Sequence, residues 1–302
     1  MAKRTVEIGG EQLVVSNLDK VLYPAAGFTK AHVLDYYVRI APVLLPHLRG
    51  RPLTMLRYPD GVDGDRFFEK RCPDYRPGFV RVVPLGREGK EKRVEHCDVD
   101  SVATLAWVAN LASLELHTSL ARSPDTSMPT MVVFDLDPGP PADIVQCCRV
   151  AGWLREIFDR LGLAAFPKTS GSKGLQVYVP VNGPTDYEAT KGFALAVGQL
   201  LERVHGDLVT TTMAKEQRPG KVFVDWSQNT LTKTTVCVYS LRAREQPTVS
   251  TPVSWDEVAH TADAGDPATL RFTAAEVLAR VAEHGDLFAP TLELVQVLPE
   301  LG

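Results

Sequence analysis

The chain has 302 residues, 44% of them hydrophobic, and a formal net charge of −4, so it can bury one large core or two smaller ones. It has no apolar run of the roughly 18 residues that a membrane span needs and no N-terminal signal-peptide core, so we expect a cytoplasmic protein. Five cysteines without a CxxC pair argue against a zinc ribbon and a disulfide framework and are expected to be reduced.

Helix boundaries are predicted by capping residues and glycines. Thr29 should begin a helix that is broken or kinked near Pro42, and another helix is expected from about Asp100 to Leu116. Capping boxes, in which a Thr or Asp and a Glu or Gln three residues later bond to each other's backbone, should open three more helices. These boxes pair Asp143 with Gln146, Thr185 with Glu188 and Thr273 with Glu276, and the helices should end at Gly162, Gly206 and Gly285.

Apolar, strand-like runs lie between these helices. They cover residues 130–135, 175–181, 222–225 and 234–239. Helices and strands interleave without a strict βαβ repeat, which predicts an α/β or α+β fold with a mixed sheet. We expect one catalytic domain over residues 1–302, with an N-terminal helical lobe.

Near the N-terminus, SNLDKVLYPAAGFTK places Asn17, Lys20 and Lys30 around a Pro/Gly turn that leads into a helix. Amide and ammonium donors close to a helix start are suited to binding a terminal phosphate. Lysines beside a turn are more often simply solvated, and the motif alone does not decide between the two interpretations.

An aromatic pair, Phe67 and Phe68, is flanked by Arg66, Lys70 and Arg71. Aromatic rings among basic residues can stack on nucleic-acid bases while the cations contact the backbone. Core packing is the commoner fate of such a pair. Because adjacent residues of a strand face opposite ways, the pattern alone favours burial of at least one ring.

Three carboxylates follow or end apolar strands: Asp135 and Asp137 in TMVVFDLDPG, and Asp225 in GKVFVDWSQN. Side chains alternate along a strand, so Asp135 and Asp137 should share a face, about 7 Å apart. Divalent cations such as Mg²⁺ or Mn²⁺ prefer oxygen ligands, and Asp225 on a neighbouring strand would complete a two-metal centre. A lone Asp-x-Asp can equally end a strand or cap a helix.

A loop of small residues from Lys168 to Gly174, in KTSGSKGLQVYVPV, directly precedes a strand. Its backbone N–H groups could form an anion nest, to which Ser170, Ser172 and Lys173 would add hydroxyl donors and a positive charge. The loop is a plausible triphosphate site but not a Walker A motif. The alternative is a flexible hairpin turn.

Two polar, basic segments, REGKEKR (Arg87–Arg93) and TTTMAKEQRPGK (Thr210–Lys221), should form loops that contact a nucleic-acid backbone. The second leads into the Asp225 strand, which predicts that Arg218 and Lys221 lie near the metal site. Carboxylates on strands combined with a phosphate-binding loop are the components of nucleotidyl transfer.

Four separated motifs give the chain a family resemblance: N-x-x-K-V-L-Y-P with its following lysine, FDLDPG, TSGSKGL and GKVFVDWSQN. Over residues 14–286 it resembles the bacterial primase-polymerases of the ligase D type, in the archaeo-eukaryotic primase superfamily. It is most similar to the stand-alone relatives, often called Prim-PolC, that act beside a separate ATP-dependent ligase, ligase C. The resemblance implies an archaeo-eukaryotic primase-like catalytic core with mixed sheets and flanking helices.

This resemblance implies a template-dependent DNA/RNA nucleotidyltransferase that fills short gaps and extends DNA ends with two Mn²⁺ or Mg²⁺ ions, preferring ribonucleotides. The implied partners are NTP or dNTP, gapped or broken double-stranded DNA with a 5′-phosphate, the separate ligase, and Ku. The protein would be a monomer associated with the bacterial nucleoid, acting in non-homologous end joining or base excision repair.

The resemblance also implies roles for individual residues. The metal-binding and catalytic residues would be Asp135, Asp137 and Asp225. The nucleotide would be bound by Ser170, Ser172, Lys173, Gln176, Arg242, Arg57 and His117. DNA would be bound by Asn17, Lys20 and Lys30 in a 5′-phosphate region of residues 14–50, by Phe67 and Phe68 stacking at the gap, and by Arg218 and Lys221.

Two positions depart from the family pattern: Gln176 stands where relatives commonly have histidine, and Leu56 where they often have a basic residue beside Arg57. Glutamine can donate a hydrogen bond but cannot become cationic. Two alternatives remain: a DNA-end-binding module that has lost synthesis, and a phosphohydrolase of the haloacid-dehalogenase type, which also has DxD at a strand end. Intact carboxylates and Lys173 argue against the first, and the SGSKG loop against the second.

Overall fold

The computed structural model describes residues 3–85 and 93–299, and the chain divides into two compact units. Unit 1 comprises the described residues of Met1–Thr126, Thr234–Ser250 and Phe272–Asp286, and unit 2 those of Ser127–Lys233, Thr251–Arg271 and Leu287–Gly302. The single catalytic domain stays a prediction. Most of the predicted basic loop at residues 87–93 lies outside the described residues.

The described residues form strands and α-helices in alternation. The strands are β1 (Lys3–Ile8), β2 (Glu11–Ser16), β3 (Val21–Tyr23), β4 (Phe28–Thr29), β5 (Leu53–Arg57), β6 (Phe67–Glu69), β7 (Arg81–Leu85), β8 (Val94–Asp98), β9 (Ser113–Thr118), β10 (Met131–Pro138), β11 (Phe166–Thr169), β12 (Leu175–Pro180), β13 (Val209–Thr210), β14 (Val222–Asp225) and β15 (Thr235–Val236). The helices are α1 (Lys30–Leu48), α2 (Val102–Asn110), α3 (Ile144–Arg160), α4 (Tyr187–Val204), α5 (Trp255–Ala264) and α6 (Ala274–His284). Within the described ranges, no helix is both long and apolar enough to cross a membrane.

The predicted helix starts are largely confirmed. Capping boxes at Asp143 and Thr273 open α3 and α6, and Thr29 caps α1. The α4 prediction is off by one residue, because Asp186 rather than Thr185 is the cap, accepting a hydrogen bond from Ala189 N at 2.8 Å. Asp is a strong N-cap because its carboxylate satisfies a free backbone N–H and favours the positive end of the helix dipole.

Two helices differ from their predictions. Helix α1 is not broken near Pro42, because it continues to Leu48 and buries an apolar face that includes Ile40 and Leu44, while a kink there stays a prediction. Such burial can outweigh the cost of a proline within a helix. The helix expected to reach Leu116 ends at Asn110, where the backbone turns through Ala112 at φ +57° into β9. The period-2 alternation of apolar and polar residues in Ser113–Thr118 is a strand pattern that accounts for this.

The expectation that all cysteines are reduced is wrong for one pair. Cys72 and Cys97 form a disulfide, whereas Cys147, Cys148 and Cys237 are free and buried. An odd number of cysteines excludes complete pairing but not a single bridge. Cys72 N donates to Glu95 O at 2.7 Å, which holds the segment after β6 against the β8 strand that carries Cys97.

Unit 1 contains a six-stranded antiparallel sheet of order β15-β9-β5-β8-β7, with β6 also paired to β5. The strand predicted at residues 234–239 is shorter and covers only Thr235–Val236. Two smaller antiparallel pairs, β1-β2 and β3-β4, precede α1 and the sheet along the chain. This arrangement brings β5, β6 and β9, which carry several predicted site residues, next to one another.

Unit 2 contains a mixed five-stranded sheet of order β11-β12-β10-β14-β13, in which only β13 and β14 are parallel. Helices α3 and α4 cover one face of its central strand. Phe134 on β10 packs against Phe158 of α3 and Phe193 of α4, at ring-centroid distances of 5.1 and 6.2 Å. Because strand side chains alternate, Asp135 and Asp137 belong to the opposite face. The predicted mixed-sheet α/β class is confirmed.

Candidate active site

The three predicted carboxylates lie on one face of the unit 2 sheet. Asp135 on β10 is directly opposite Asp225 on β14, and Asp137 is opposite Phe223 in the same antiparallel pair. Directly opposed residues share a face, as do residues two apart on one strand, so all three carboxylates belong to the face that α3 and α4 do not cover. The two-metal interpretation depended on Asp225 lying on a strand next to the Asp-x-Asp strand, and this condition is met.

Lys168 and Gln176 continue this face across two more strands. Lys168 on β11 is opposite Gln176 on β12, and Gln176 is opposite Asp135. We call the cross-strand series Lys168, Gln176, Asp135 and Asp225 the polar row. Lys168 Nζ donates to Gln176 Oε1 at 2.6 Å. Lys168, predicted to lie in the small-residue loop, is instead a residue of β11 and is only 1% exposed.

Asp135 is partly buried among like charges. Burial has the largest effect and raises its pKa, and the charges of Asp137 and Asp225 raise it further. A hydrogen bond with Gln176 and the charge of Lys168 lower it, and the resulting pKa is about 7. The raised pKa of Asp135 therefore reflects burial first and the like charges of Asp137 and Asp225 second. A divalent cation would relieve this repulsion.

Asp225 is held by its own neighbours at the end of β14. Its Oδ1 accepts from Ser227 N at 3.1 Å and from Ser227 Oγ, and its Oδ2 accepts from Gln228 Nε2 at 3.0 Å. Lys233 Nζ in turn donates to Ser227 Oγ. Asp135 is thus linked to Lys168 through Gln176. In the same way, Asp225 is linked to Lys233 through Ser227.

The donor chemistry of the three carboxylates fits Mg²⁺ or Mn²⁺, which prefer oxygen ligands. Among residues 3–85 and 93–299, however, no group of three or more His, Cys, Asp or Glu side chains is arranged as a metal site. Asp225 Oδ1 accepts two hydrogen bonds from Ser227, whereas Oδ2 accepts one from Gln228 and keeps a second lone pair that could bind a cation.

The SGSKG loop is a tight turn closed by Ser170. Its Oγ accepts from Ser172 N at 3.2 Å and from Gly174 N at 3.1 Å, so two N–H groups of the predicted anion nest are already engaged. Ser172 and Lys173 are exposed and available to an anionic ligand. Gly174 is required by packing, because a Cβ there would clash with Leu136 O on the strand that carries Asp135 and Asp137.

Arg218 and Lys221 separate in the structure, although one loop carries both. The Arg218 guanidinium lies 3.7 Å from the ring centroid of Phe223, the residue opposite Asp137, so Arg218 is brought to the carboxylate face. Lys221 Nζ instead donates to Gly206 O, beyond the end of α4. Lys221 therefore supports the entry of the chain into β14 at the end away from Asp225.

In unit 1, the predicted nucleotide-binding residues His117 and Arg242 converge on a buried carboxylate that the sequence analysis missed. Glu115 accepts from His117 Nε2 at 2.9 Å and from Ala243 N at 3.0 Å, and Arg242 Nε lies 3.2 Å from it. Burial alone would raise the Glu115 pKa, but the His117 hydrogen bond, the Arg242 and His117 charges and the Ala243 hydrogen bond outweigh it and lower the pKa to about 2. The Glu-x-His alternation in β9 was the available signal.

Arg57 is engaged by the strand that carries the aromatic pair. Its Nε donates to Leu111 O at 2.9 Å, its Nη1 donates to Glu69 at 2.7 Å, and its guanidinium lies 5.0 Å from the Phe67 ring centroid. Arg57 therefore supports Phe67, and the predicted role of Arg57 in nucleotide binding stays a prediction.

The expectation that Phe67 or Phe68 is buried is wrong, because they are 44% and 60% exposed. β6 is paired only with β5 and leaves both rings accessible, with Phe68 making an edge contact to His117 at 6.1 Å between ring centroids. Leu56 is buried and lies opposite Phe68 on one neighbouring strand and Glu115 on the other. A basic residue in place of Leu56 would pair with Glu115, and in this chain Arg242 is the cation that does so.

The predicted 5′-phosphate residues divide between a cavity and the protein interior. A cavity of about 610 Å³ is lined by Asn17 and Lys20, together with Arg4 from β1, which the sequence analysis did not select. Lys20 Nζ is paired with Asp60 at 2.6 Å. Lys30 is 5% exposed and donates to Ser16 O at 2.7 Å, and burial together with the Lys20 and Arg57 charges lowers its pKa to about 8.

Comparisons of sequence extend these observations. Residues 29–288 match the family model described as the primase-polymerase domain of LigD. The chain is 44% identical over 282 residues to the multifunctional non-homologous end joining protein LigD of Mycolicibacterium smegmatis, covering 93% of this chain and 36% of that protein. It is 32% identical over 248 residues to the bifunctional non-homologous end joining protein LigD of Bacillus subtilis, covering 82% and 39%. The chain thus spans less than two-fifths of the length of these relatives.

The fold is similar to a solved structure of the polymerase domain from Mycobacterium tuberculosis ligase D in complex with DNA. The TM-score is 0.85 with 41% sequence identity, and the match covers 93% of this chain and 98% of that one. Sequence and structure comparisons therefore agree on the same domain.

Proposed function

This chain belongs to the LigD primase-polymerase domain family, and we propose that it is a template-dependent nucleotidyltransferase that fills gaps and extends broken DNA ends during repair. The observation that carries the proposal is the direct opposition of Asp135 and Asp225 on adjacent strands, with Asp137 on the same face. This arrangement collects carboxylates whose mutual repulsion a cation would relieve. The similarity to a DNA-bound polymerase domain supports a nucleic-acid substrate.

In this proposal, Asp135, Asp137 and Asp225 hold two Mn²⁺ or Mg²⁺ ions. Bound ions of this kind neutralise phosphate charge and activate the attacking hydroxyl in nucleotidyl transfer. In unit 2, Ser172 and Lys173 are exposed for contact with a triphosphate. In unit 1, Glu115 holds His117 and Arg242 in place. Gln176 hydrogen-bonds Asp135, and its contact with the nucleotide stays a prediction.

The DNA would be bound by separate features of unit 1. Phe67 and Phe68 offer accessible aromatic faces for unpaired bases, and exposed stacking of this kind is worth about 1–3 kcal/mol per base. The cavity beside Asn17 and Lys20 suits a 5′-phosphate, which would compete with Asp60 for the Lys20 ammonium. A polymerase with these features would act with a ligase and with Ku at breaks in the bacterial nucleoid.

The proposal is tested by incubating the protein with a gapped, 5′-phosphorylated primer-template, Mn²⁺ and each type of nucleotide. We expect ribonucleotide addition by the unchanged protein, and its loss in Asp137→Ala with binding to the gapped DNA retained. Asp263→Asn, which changes an exposed carboxylate of α5, is the matched control and should extend normally.

Two outcomes would contradict the proposal. Full extension by Asp137→Ala would show that the Asp137 carboxylate is not needed for nucleotide addition. Binding of the gapped DNA without extension by the unchanged protein would instead support the non-catalytic end-binding module.

A further inference from the structure

The most buried charged side chain of the unit 2 sheet lies at one end of the polar row. Lys168 is 1% exposed on β11, although lysine is rarely buried without a compensating partner. Its ammonium lies 5.4 Å from the centroid of the Tyr178 ring and donates to Gln176 Oε1 at 2.6 Å. The neighbour that it contacts in the row is a neutral amide, with Asp135 one strand further on.

The contacts of Gln176 determine how its amide group is oriented. Its Oε1 accepts from Lys168 and also from the Tyr178 hydroxyl at 3.2 Å. The acceptor end therefore faces β11, and the amide group, which donates through Nε2, is left to hydrogen-bond the Asp135 carboxylate opposite it on β10. A reversed amide would direct Oε1 at the carboxylate, which is repulsive.

Register and hydrogen bonding together link Lys168 to Asp135 through one intermediate. The three residues are directly opposed on β11, β12 and β10, so the link runs perpendicular to the strands and does not depend on a loop. Asp225, on the other side of Asp135, is held through Ser227 by Lys233. The two lysines contact different intermediates, Lys168 contacting Gln176 and Lys233 contacting Ser227.

We propose that Lys168 is a positioning residue for the proposed metal site: by fixing the amide of Gln176, it holds the Asp135 carboxylate ready for a cation before the cation binds. The inference rests on the proposed function for the identity of the cation. Its structural part, coupling of Lys168 to Asp135 through Gln176, does not depend on that function. Residues that orient a metal ligand typically change metal affinity 10–100-fold when removed.

The first experiment measures Mn²⁺ binding to the protein without nucleotide or DNA. Lys168→Met, which keeps a side chain of similar length but removes the ammonium that donates to Gln176, should weaken Mn²⁺ affinity about 10-fold. Gln176→Leu should have a similar effect, and the double variant should be no worse than the weaker-binding single variant, because the two residues act in series. Unchanged affinity in Lys168→Met, or additive losses in the double variant, would overturn the proposal.

The second experiment needs no metal and keeps the proposal testable if Mn²⁺ does not bind. In EDTA, Lys168→Met should lower the Tm by roughly 2–4 °C in the otherwise unchanged protein. In the Asp135→Asn background the same substitution should lower it by less than half as much. Equal shifts in both backgrounds would show that Lys168 only supports the fold and would overturn the proposal.

Lys233→Met is the matched control, because it removes a lysine from the Asp225 arm of the same face. Its effect on Tm should be the same in the otherwise unchanged protein and in the Asp135→Asn background. Lys168→Gln, which retains a neutral donor, should recover part of the Mn²⁺ affinity lost in Lys168→Met. Absence of Mn²⁺ binding by the unchanged protein would count against the proposed function, while the EDTA comparison would still decide the coupling.

Discussion

Asp135 in unit 2 and Glu115 in unit 1 are both shielded from water, yet their pKa values are shifted in opposite directions. The Asp135 pKa is raised to about 7 by burial and by the adjacent carboxylates, whereas that of Glu115 is lowered to about 2 because hydrogen bonds and charges of His117 and Arg242 outweigh burial. Burial is common to both sites, so the neighbours decide the outcome. Asp135 therefore lies among like charges, whereas Glu115 is paired with the opposite charges of His117 and Arg242.

The largest expected effect comes from Asp135→Asn. Removing one of the facing carboxylates should reduce primer extension on the order of 10³-fold, because the charge that would bind a cation is lost. The same change relieves like-charge repulsion and should stabilise the metal-free protein by about 2 kcal/mol. Single-turnover extension and urea unfolding in EDTA measure the two quantities. Destabilisation would contradict the view that Asp135 is held against repulsion.

Glu115→Gln should have the opposite effect on stability. Loss of the ionised carboxylate should destabilise the protein by about 3 kcal/mol, because the lowered pKa reflects that much preference for the charged form in the fold. This stabilisation is present above the ordinary pKa of 4.5 and is lost as the pH falls towards 2. Urea unfolding at pH 7 measures it. Asp74→Asn, in an exposed pair with Arg71, should change stability by less than about 0.5 kcal/mol.

Gly174→Ala tests whether the unit 2 site depends on backbone packing as well as charge. The added methyl group would meet Leu136 O between Asp135 and Asp137, and should cost about 1–3 kcal/mol and reduce extension. Gly152→Ala is the matched control, because its methyl group would meet nothing within 4 Å inside α3 and should stabilise the protein by up to about 1 kcal/mol. Equal effects of the two substitutions on unfolding would refute this account.

The smallest expected effect concerns Lys30, a buried cation whose pKa is lowered to about 8 by burial and by Lys20 and Arg57. Its ammonium loses its proton as the pH rises through 8, so the preference for a 5′-phosphate over a 5′-hydroxyl should fall several-fold between pH 7 and pH 9. Fluorescence anisotropy with the two gapped DNAs measures this ratio. Lys30→Arg should remove the pH dependence, because arginine stays charged throughout this range. A constant ratio in the unchanged protein would separate Lys30 from phosphate binding.

The sequence predicted those parts of the fold and site that depend on local pattern. Capping residues located the starts of α1, α3 and α6, and strand alternation placed Asp135 and Asp137 on one face. The polar row was not predictable, because the register of β11, β12, β10 and β14 is set by tertiary packing. Nothing local to Lys168 indicates that it lies two strands from Asp135.

Glu115 was missed for a different reason. The predicted helix from Asp100 to Leu116 included it, and a helical position would have separated Glu115 from His117 by about 200° around the axis. In β9 the two residues share a face and hydrogen-bond at 2.9 Å. An error of six residues in the end of one helix therefore concealed the centre of a charged group.

The packing of Phe134 between Phe158 and Phe193 has a consequence for how this protein can change over evolution. At the carboxyl end of β10, Phe134 and Leu136 belong to the core face, whereas Asp135 and Asp137 belong to the opposite face and carry the chemistry in the proposed function, so each type of substitution is tested by a different selection pressure. Catalytic side chains can be exchanged without repacking the core, and the core can be repacked without moving the catalytic side chains to the other face. An inactive but stably folded descendant is therefore only one substitution away.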